Sequence, residues 1–187
     1  MPIFGITASS NQFARLGDFS QIATTTVGAT AVSSVVFDNI PQTYTHLQVR
    51  YIAQTSRTSG NYGFLYLRFN DDTGTNYSSH ELYGDGSAVG VGSGVTWSEP
   101  WIGYCGRTAN TSIFGAGVCD ILDYANTNKF KTTRTISGVD NNGSGYSSLD
   151  SSNWRSTSGI TKITILDLNV GVNITQYSSF ALYGVKA

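Results

Sequence analysis

Charge is scarce in this chain. Lys, Arg, Asp and Glu together make up 12% of 187 residues, about half the usual share of roughly 25%, and they nearly cancel to a formal net charge of −1. A chain this neutral has no broad electrostatic reason to seek nucleic acid or anionic lipid. With so few charges, its surface is expected to be covered by Ser, Thr, Asn, Gly and Tyr, or by neighbouring subunits. Lys129, Lys131 and Arg134 form a short basic spot. On a strand, Lys129 and Lys131 share one face, open to a local contact, although a solvated face is the expectation.

Cysteine is nearly absent too. Cys105 and Cys119 are too few for a disulfide framework, and both sit in β-type sequence, where buried free thiols are the plain expectation and a single bridge the alternative. Three prolines and one methionine against 21 glycines and 11 tyrosines favour strands joined by tight turns over helices. No stretch approaches the roughly 18 apolar residues that span a bilayer, and the first residues lack the basic and apolar regions of a signal peptide, so a chain made and used in soluble form, without a membrane, is expected.

Alternation is what the sequence does have. In residues 63–86, Leu65, Leu67 and Phe69 alternate with Phe64, Tyr66 and Arg68 before the turn residues Asp71, Asp72, Thr73 and Gly74, and an extended run resumes at Tyr77. This reads as a long β-hairpin around which the chain is organised. Residues 21–27 and 31–37 read as a second hairpin, residues 46–54 as a strand, and residues 111–122 and 129–139 as a further strand pair. Strands are also expected at 162–169 and 178–186. Residues 87–94 (SAVGVGSG) read as a flexible loop or a glycine-bearing edge strand, since no Lys-Ser/Thr or helical pattern follows to make a phosphate loop. Residues 140–159, the most polar tract, read as a loop anchored by Tyr146, Leu149 and Trp154. About ten short strands and no amphipathic helix predict one all-β domain, an antiparallel two-sheet β-sandwich with a jelly roll as first choice, over residues 20–187. Residues 1–19 lack a clean period. They read as an extended N-terminal arm whose Ile3, Phe4, Ile6, Phe13 and Leu16 would lie on the domain or on a partner.

Catalytic chemistry has few candidates. His46 and His80 are the only histidines, neither is near a cysteine in sequence, and no nucleophile elbow, zinc-type spacing or metalloprotease helix is present. No catalytic, cofactor or metal residue is therefore assigned. Asp71 and Asp72 are read as an ordinary turn, since the spaced oxygen ligands of a calcium loop are missing. Trp97, Trp101, Tyr146 and Trp154 are aromatics in or near predicted loops, suited to stacking on sugar rings or anchoring an interface, with inter-sheet packing as the plain alternative.

Residues 36–50 (VFDNIPQTYTHLQVR), 65–86 (LYLRFNDDTGTNYSSHELYGDG) and 179–185 (SFALYGV) resemble a set of small tailed-bacteriophage virion proteins. The resemblance runs from about Ser20 to the end and carries no catalytic or ligand residue with it. It implies a non-enzymatic virion structural protein, a β-sandwich present in many copies and assembled in the host cytoplasm. As a head decoration or cement protein it would bind the major capsid protein and itself, as a homotrimer, and clamp the capsid lattice. As a tail-fibre or baseplate module it would present loops to a host surface glycan. Low charge and the apolar arm suit the first role, as does a chain read as complete from Met1 without fibrous repeat or coiled coil; the loop aromatics suit the second. A carbohydrate-binding module or glycan-processing enzyme is the reading from another class.

Overall fold

A computed structural model of the protein describes residues 19–186. Among these residues there are twelve strands and no helix: β1 (Phe19–Thr26), β2 (Ser34–Phe37), β3 (His46–Thr55), β4 (Gly63–Phe69), β5 (Tyr77–Gly84), β6 (Val89–Trp97), β7 (Trp101–Arg107), β8 (Gly115–Leu122), β9 (Lys131–Asp140), β10 (Gly145–Trp154), β11 (Ile163–Leu166) and β12 (Ser179–Val185). They lie in two layers. The large one has the order β1-β12-β3-β8-β9-β10-β5-β6 and the small one β2-β11-β4-β7, every pair antiparallel. A two-residue parallel contact, Gln54 with Gly106 and Thr55 with Arg107, joins β3 to β7 and so links the layers. The protein is thus an all-β sandwich of eight strands over four.

Two expected hairpins are not hairpins. β4 lies between β11 and β7 in the small layer, while β5 lies between β10 and β6 in the large one. The intervening turn therefore carries the chain across the core instead of folding it back on itself. Asn70 and Asp71 take positive φ values of 51° and 58° there, a bend that Asn and Asp tolerate better than most residues. The Asn70 side chain fixes this bend by donating to Gly159 O and accepting from the backbone N–H groups of Thr161 and Lys162. In the same way β1 pairs with β12 and β2 with β11, so residues 21–37 bridge the layers too. Local alternation located these strands; their partners were set by tertiary contacts. The pair formed by β8 and β9 is as the sequence suggests, in register from Ala116 with Gly138 to Leu122 with Thr132.

Leu65, Leu67, Phe69, Ile163 and Ile165 of the small layer meet Leu47, Val49, Ile121, Phe180 and Leu182 of the large one in a continuous buried cluster, each such side chain contributing ~1.5–3 kcal/mol. The rest of the interlayer space is polar. Thr133, Thr135 and Ser137 of β9, Ser148, Asp150 and Ser152 of β10, and Ser79 of β5 all point inward and are buried. Part of the reason lies in β7, the edge strand of the small layer, whose backbone groups there lack strand partners on one side. Ser79 Oγ accepts from Trp101 N, Ser137 Oγ accepts from Tyr104 N, and the Tyr51 hydroxyl bonds the carbonyls of Ile102 and Tyr104. This polar inner wall explains why residues 140–159 read as a loop: they contain β10, a central strand whose inward positions are Ser and Asp where a core-facing strand usually has Val or Ile.

Lys131 corrects a further expectation. It is buried, not solvated, and its Nζ donates to the carbonyls of Asn126, Lys129 and Thr157 at 2.5, 3.1 and 3.2 Å. Burial pushes its pKa below the ordinary lysine value. Lys129 precedes the strand, stays exposed and pairs with Asp123. Cys105 and Cys119 are buried free thiols, as expected.

Candidate interaction surface

The residues singled out for binding go to different places. Ile3, Phe4, Ile6, Phe13 and Leu16 lie outside the described residues, and Phe19, expected to end the arm, begins β1. Trp154 is buried, stacks on Tyr77 and donates its Nε1–H to Asp72 Oδ2 at 2.7 Å. Against the upward push of partial burial, this bond and those from Asn76 and Gly74 hold the Asp72 carboxyl below its ordinary pKa. The Asp71–Asp72 segment is thus an anchored turn. Trp97 and Trp101 come together edge to face, 4.4 Å between ring centroids, and are half-buried. Tyr146 packs against Tyr62, Tyr104 and Tyr83 and lines a cleft of about 600 Å³ with Asn61, Asp85, Asp140 and Ser144.

His46 accepts a hydrogen bond from Asp123 N at its Nδ1, and His80 is exposed in β5. No group of three or more His, Cys, Asp or Glu side chains placed to hold a metal occurs among the described residues.

The surface feature that sequence reading missed is the outward face of the large layer. The cross-strand register places Val118 opposite Ile136, Ile136 opposite Leu149, Leu149 opposite Leu82, and Leu82 opposite Val91. Five aliphatic side chains therefore stand in one row across β8, β9, β10, β5 and β6, with exposures of 39, 67, 47, 49 and 80%. Ionised or polar residues are the norm on a solvated sheet face, so a row this apolar is out of place facing water.

The neighbouring row runs Ile52, Ala116, Gly138, Ser147, Gly84, Val89. Only its two ends carry large side chains, and these are 53 and 77% exposed. Between them the small residues leave the sheet low. A hollow of about 1050 Å³ opens over this part of the face and extends towards β12 and β1, lined among others by Ile52, Ala116, Val118, Ile136 and Gly138.

On the opposite flank the row is polar: Gln48, Asp120, Arg134, Ser151, His80, Ser93. Gln48 donates to Asp120 and accepts from Arg50 Nε. The Arg50 guanidinium also lies over the rings of Phe19 and Tyr183, so the aliphatic row ends at β3 against a cation already engaged.

At its other end the row reaches β6, the edge of the large layer. There Val89, Val91 and Val95 face outward while Gly90, Gly92 and Gly94 face inward. A Cβ at Gly94 would fall 1.9 Å from the Trp97 ring, and one at Gly90 would fall 2.3 Å from Tyr83. The inward glycines are thus covered by aromatic rings, a known way of stabilising glycine in an edge strand. Residues 87–94 contribute an edge strand.

One sequence signal for the aliphatic row existed. β9 and β10 alternate with Ser and Thr at the positions facing the core and Ile136 and Leu149 at those facing out, the reverse of the usual assignment. No family model, no curated protein and no solved structure matches the chain.

Proposed function

We propose that the protein is a non-enzymatic structural component of a phage virion, a decoration or cement protein that lies on the outer surface of the major capsid lattice and stabilises it. The carrying observation is the row of five exposed aliphatic side chains from Val118 to Val91, a surface suited to burial against protein and offering no group for bond-making. The resemblance of residues 36–50, 65–86 and 179–185 to tailed-phage virion proteins supports the setting. On this reading the chain acts in the virion after assembly in the host cytoplasm, its partners are the major capsid protein and copies of itself, and no cofactor is involved. The homotrimer that the resemblance implies belongs to the same reading.

Fractionated virions test it. Hundreds of copies per particle, travelling with heads and counted against the major capsid protein, are expected. Tens of copies sedimenting with tails would replace this role by the fibre one, and absence from particles would end both.

The cleft holding Tyr146 favours one second reading, a tail-fibre or baseplate module, or a carbohydrate-binding module, that takes a host surface glycan. An aromatic beside Asn61, Asp85 and Asp140 offers a stacking face and hydrogen-bonding groups together. A glycan array probed with wild type and Tyr146→Ala tests it, with binding lost in the variant as the supporting result.

A further inference from the structure

The aliphatic row and the hollow beside it lie two residues apart along the same strands, about 7 Å, one standing high and the other low. We infer that this face pairs with the same face of a second copy of the chain across a two-fold axis, with the row of each subunit seated in the hollow of the other. The inference deepens the structural reading by naming one partner, puts a two-fold pair in place of the homotrimer that the resemblance implies, and rests on that reading only for where the pair is used. Three observations carry the contact itself.

The first is area. At the exposures given above, Ile52, Leu82, Val89, Val91, Val118, Ile136 and Leu149 present on the order of 700 Å² of apolar surface, beyond the roughly 300–600 Å² of the largest patch on a typical monomer and close to the ~800 Å² each partner gives to a standard interface.

The second is charge. A two-fold axis lays a patch against itself, so any net charge in it meets its own sign. From Val118 to Val91, and from Ala116 to Val89, neither row contains an ionisable side chain. The nearest charges are Arg50, opposite Val118 on β3 and lying over the rings of Phe19 and Tyr183, and the pair Asp120 and Arg134, opposite each other on β8 and β9 with opposite signs. The two rows are ones that this chain can present to itself without repulsion, with Arg50 at the rim held by Gln48 and by the Phe19 and Tyr183 rings.

The third is shape. An isologous contact needs a surface complementary to its own image. A flat apolar sheet face meets that condition weakly, because nothing sets the register of one copy on the other. Here Gly138, Gly84, Ala116 and Ser147 leave room where Ile136, Leu149 and Leu82 of the other copy would enter, and two equivalent insertions form at once. Sheets stacked this way lie about 10 Å apart, the spacing that aliphatic side chains of one layer fill.

Sedimentation equilibrium of the purified full chain, with no capsid present, tests the pairing from about 1 to 100 µM. A mass of twice 20.0 kDa is expected for the wild type, and one of 20.0 kDa for Ile136→Lys, with association at least 100-fold weaker and an unchanged far-ultraviolet circular dichroism spectrum. Ile136→Leu should restore the dimer, which separates a lost contact from a lost fold. A wild type monomeric at 100 µM, a mass of three chains, or a dimer that survives Ile136→Lys would overturn the inference. So would a wild-type monomer that dimerises only once residues 1–18 are deleted, since the face would then belong to the start of the chain itself. Virion fractionation reads particle association independently of this mass, so either proposal can fail while the other stands.

Discussion

Asp150 is a carboxyl group facing the core, directly opposite Glu81 on one neighbouring strand and Thr135 on the other. Oδ2 accepts from Ser148, whereas Oδ1 has no protein partner. Burial, with the Glu81 charge adding to it and the Ser148 bond opposing, raises the Asp150 pKa to about 7. A carboxyl whose pKa is raised by folding stabilises the fold fully while both states are protonated, below the unfolded value of roughly 3.9, and that contribution drains away as pH climbs towards 7. Asp150→Asn should therefore flatten the decline of stability between pH 4 and 7 and leave the variant more stable at pH 8, by up to about 4 kcal/mol for a shift of about three pKa units. Urea melts at several pH values check this, and an unchanged slope would refute it. Lys131 poses the opposite case, a buried cation whose three carbonyl acceptors have been described. Lys131→Met keeps the length and apolar stem but removes the donor, and should cost about 2–3 kcal/mol in urea denaturation because buried acceptors are left unpaired. Neither side chain was readable in sequence as a buried group. Period-two alternation marks which residues share a face without saying which face is inside, and on β9 and β10 the polar face is the inner one.

At the scale of elements, strand existence was legible and strand partnership was not. The alternation of Leu65, Leu67 and Phe69 located β4, and Asp72 and Gly74 located the turn, yet a short turn of this composition serves equally to reverse a strand within one sheet or to carry it across to another. The choice fell to the clamp of Asn70 on residues 159–162, a contact about ninety residues away in sequence. β6 illustrates the same point. Its Val-Gly alternation is ambiguous between loop and strand until Tyr83, Trp101 and Trp97 are seen covering the glycines. Gly94→Ala should therefore be disruptive for a surface edge strand, since the Trp97 ring must move to admit a methyl group. A loss of about 1–3 kcal/mol is expected, together with a changed near-ultraviolet circular dichroism signal from the Trp97–Trp101 pair. A silent substitution would mean that the rings do not cover the strand in solution.

The whole molecule behaves as one cooperative unit if its layers are locked together, and the two thiols report on this. Cys105 belongs to β7 in the small layer and Cys119 to β8 in the large one, both fully buried. Burial raises both thiol pKa values, that of Cys119 to about 12, so neither should react with an aromatic disulfide reagent at pH 8 in the native state. Both should label at one common rate set by global unfolding, because the Tyr51, Ser79 and Ser137 bonds to β7 tie the layers. Early labelling of Cys105 alone would show the small layer opening independently. By itself the sequence determined an all-β sandwich with little charge and strands near their observed positions, since these follow from composition and from local alternation that any one strand carries alone. Tertiary structure alone decided that residues 63–86 and 21–37 span the two layers, that residues 140–159 supply a central strand, and that Lys131 lies inside. It also placed Val118, Ile136, Leu149, Leu82 and Val91 in a single row. Their alignment depends on the register of five strands that come from separate parts of the chain, and no local pattern encodes which residue will stand beside which.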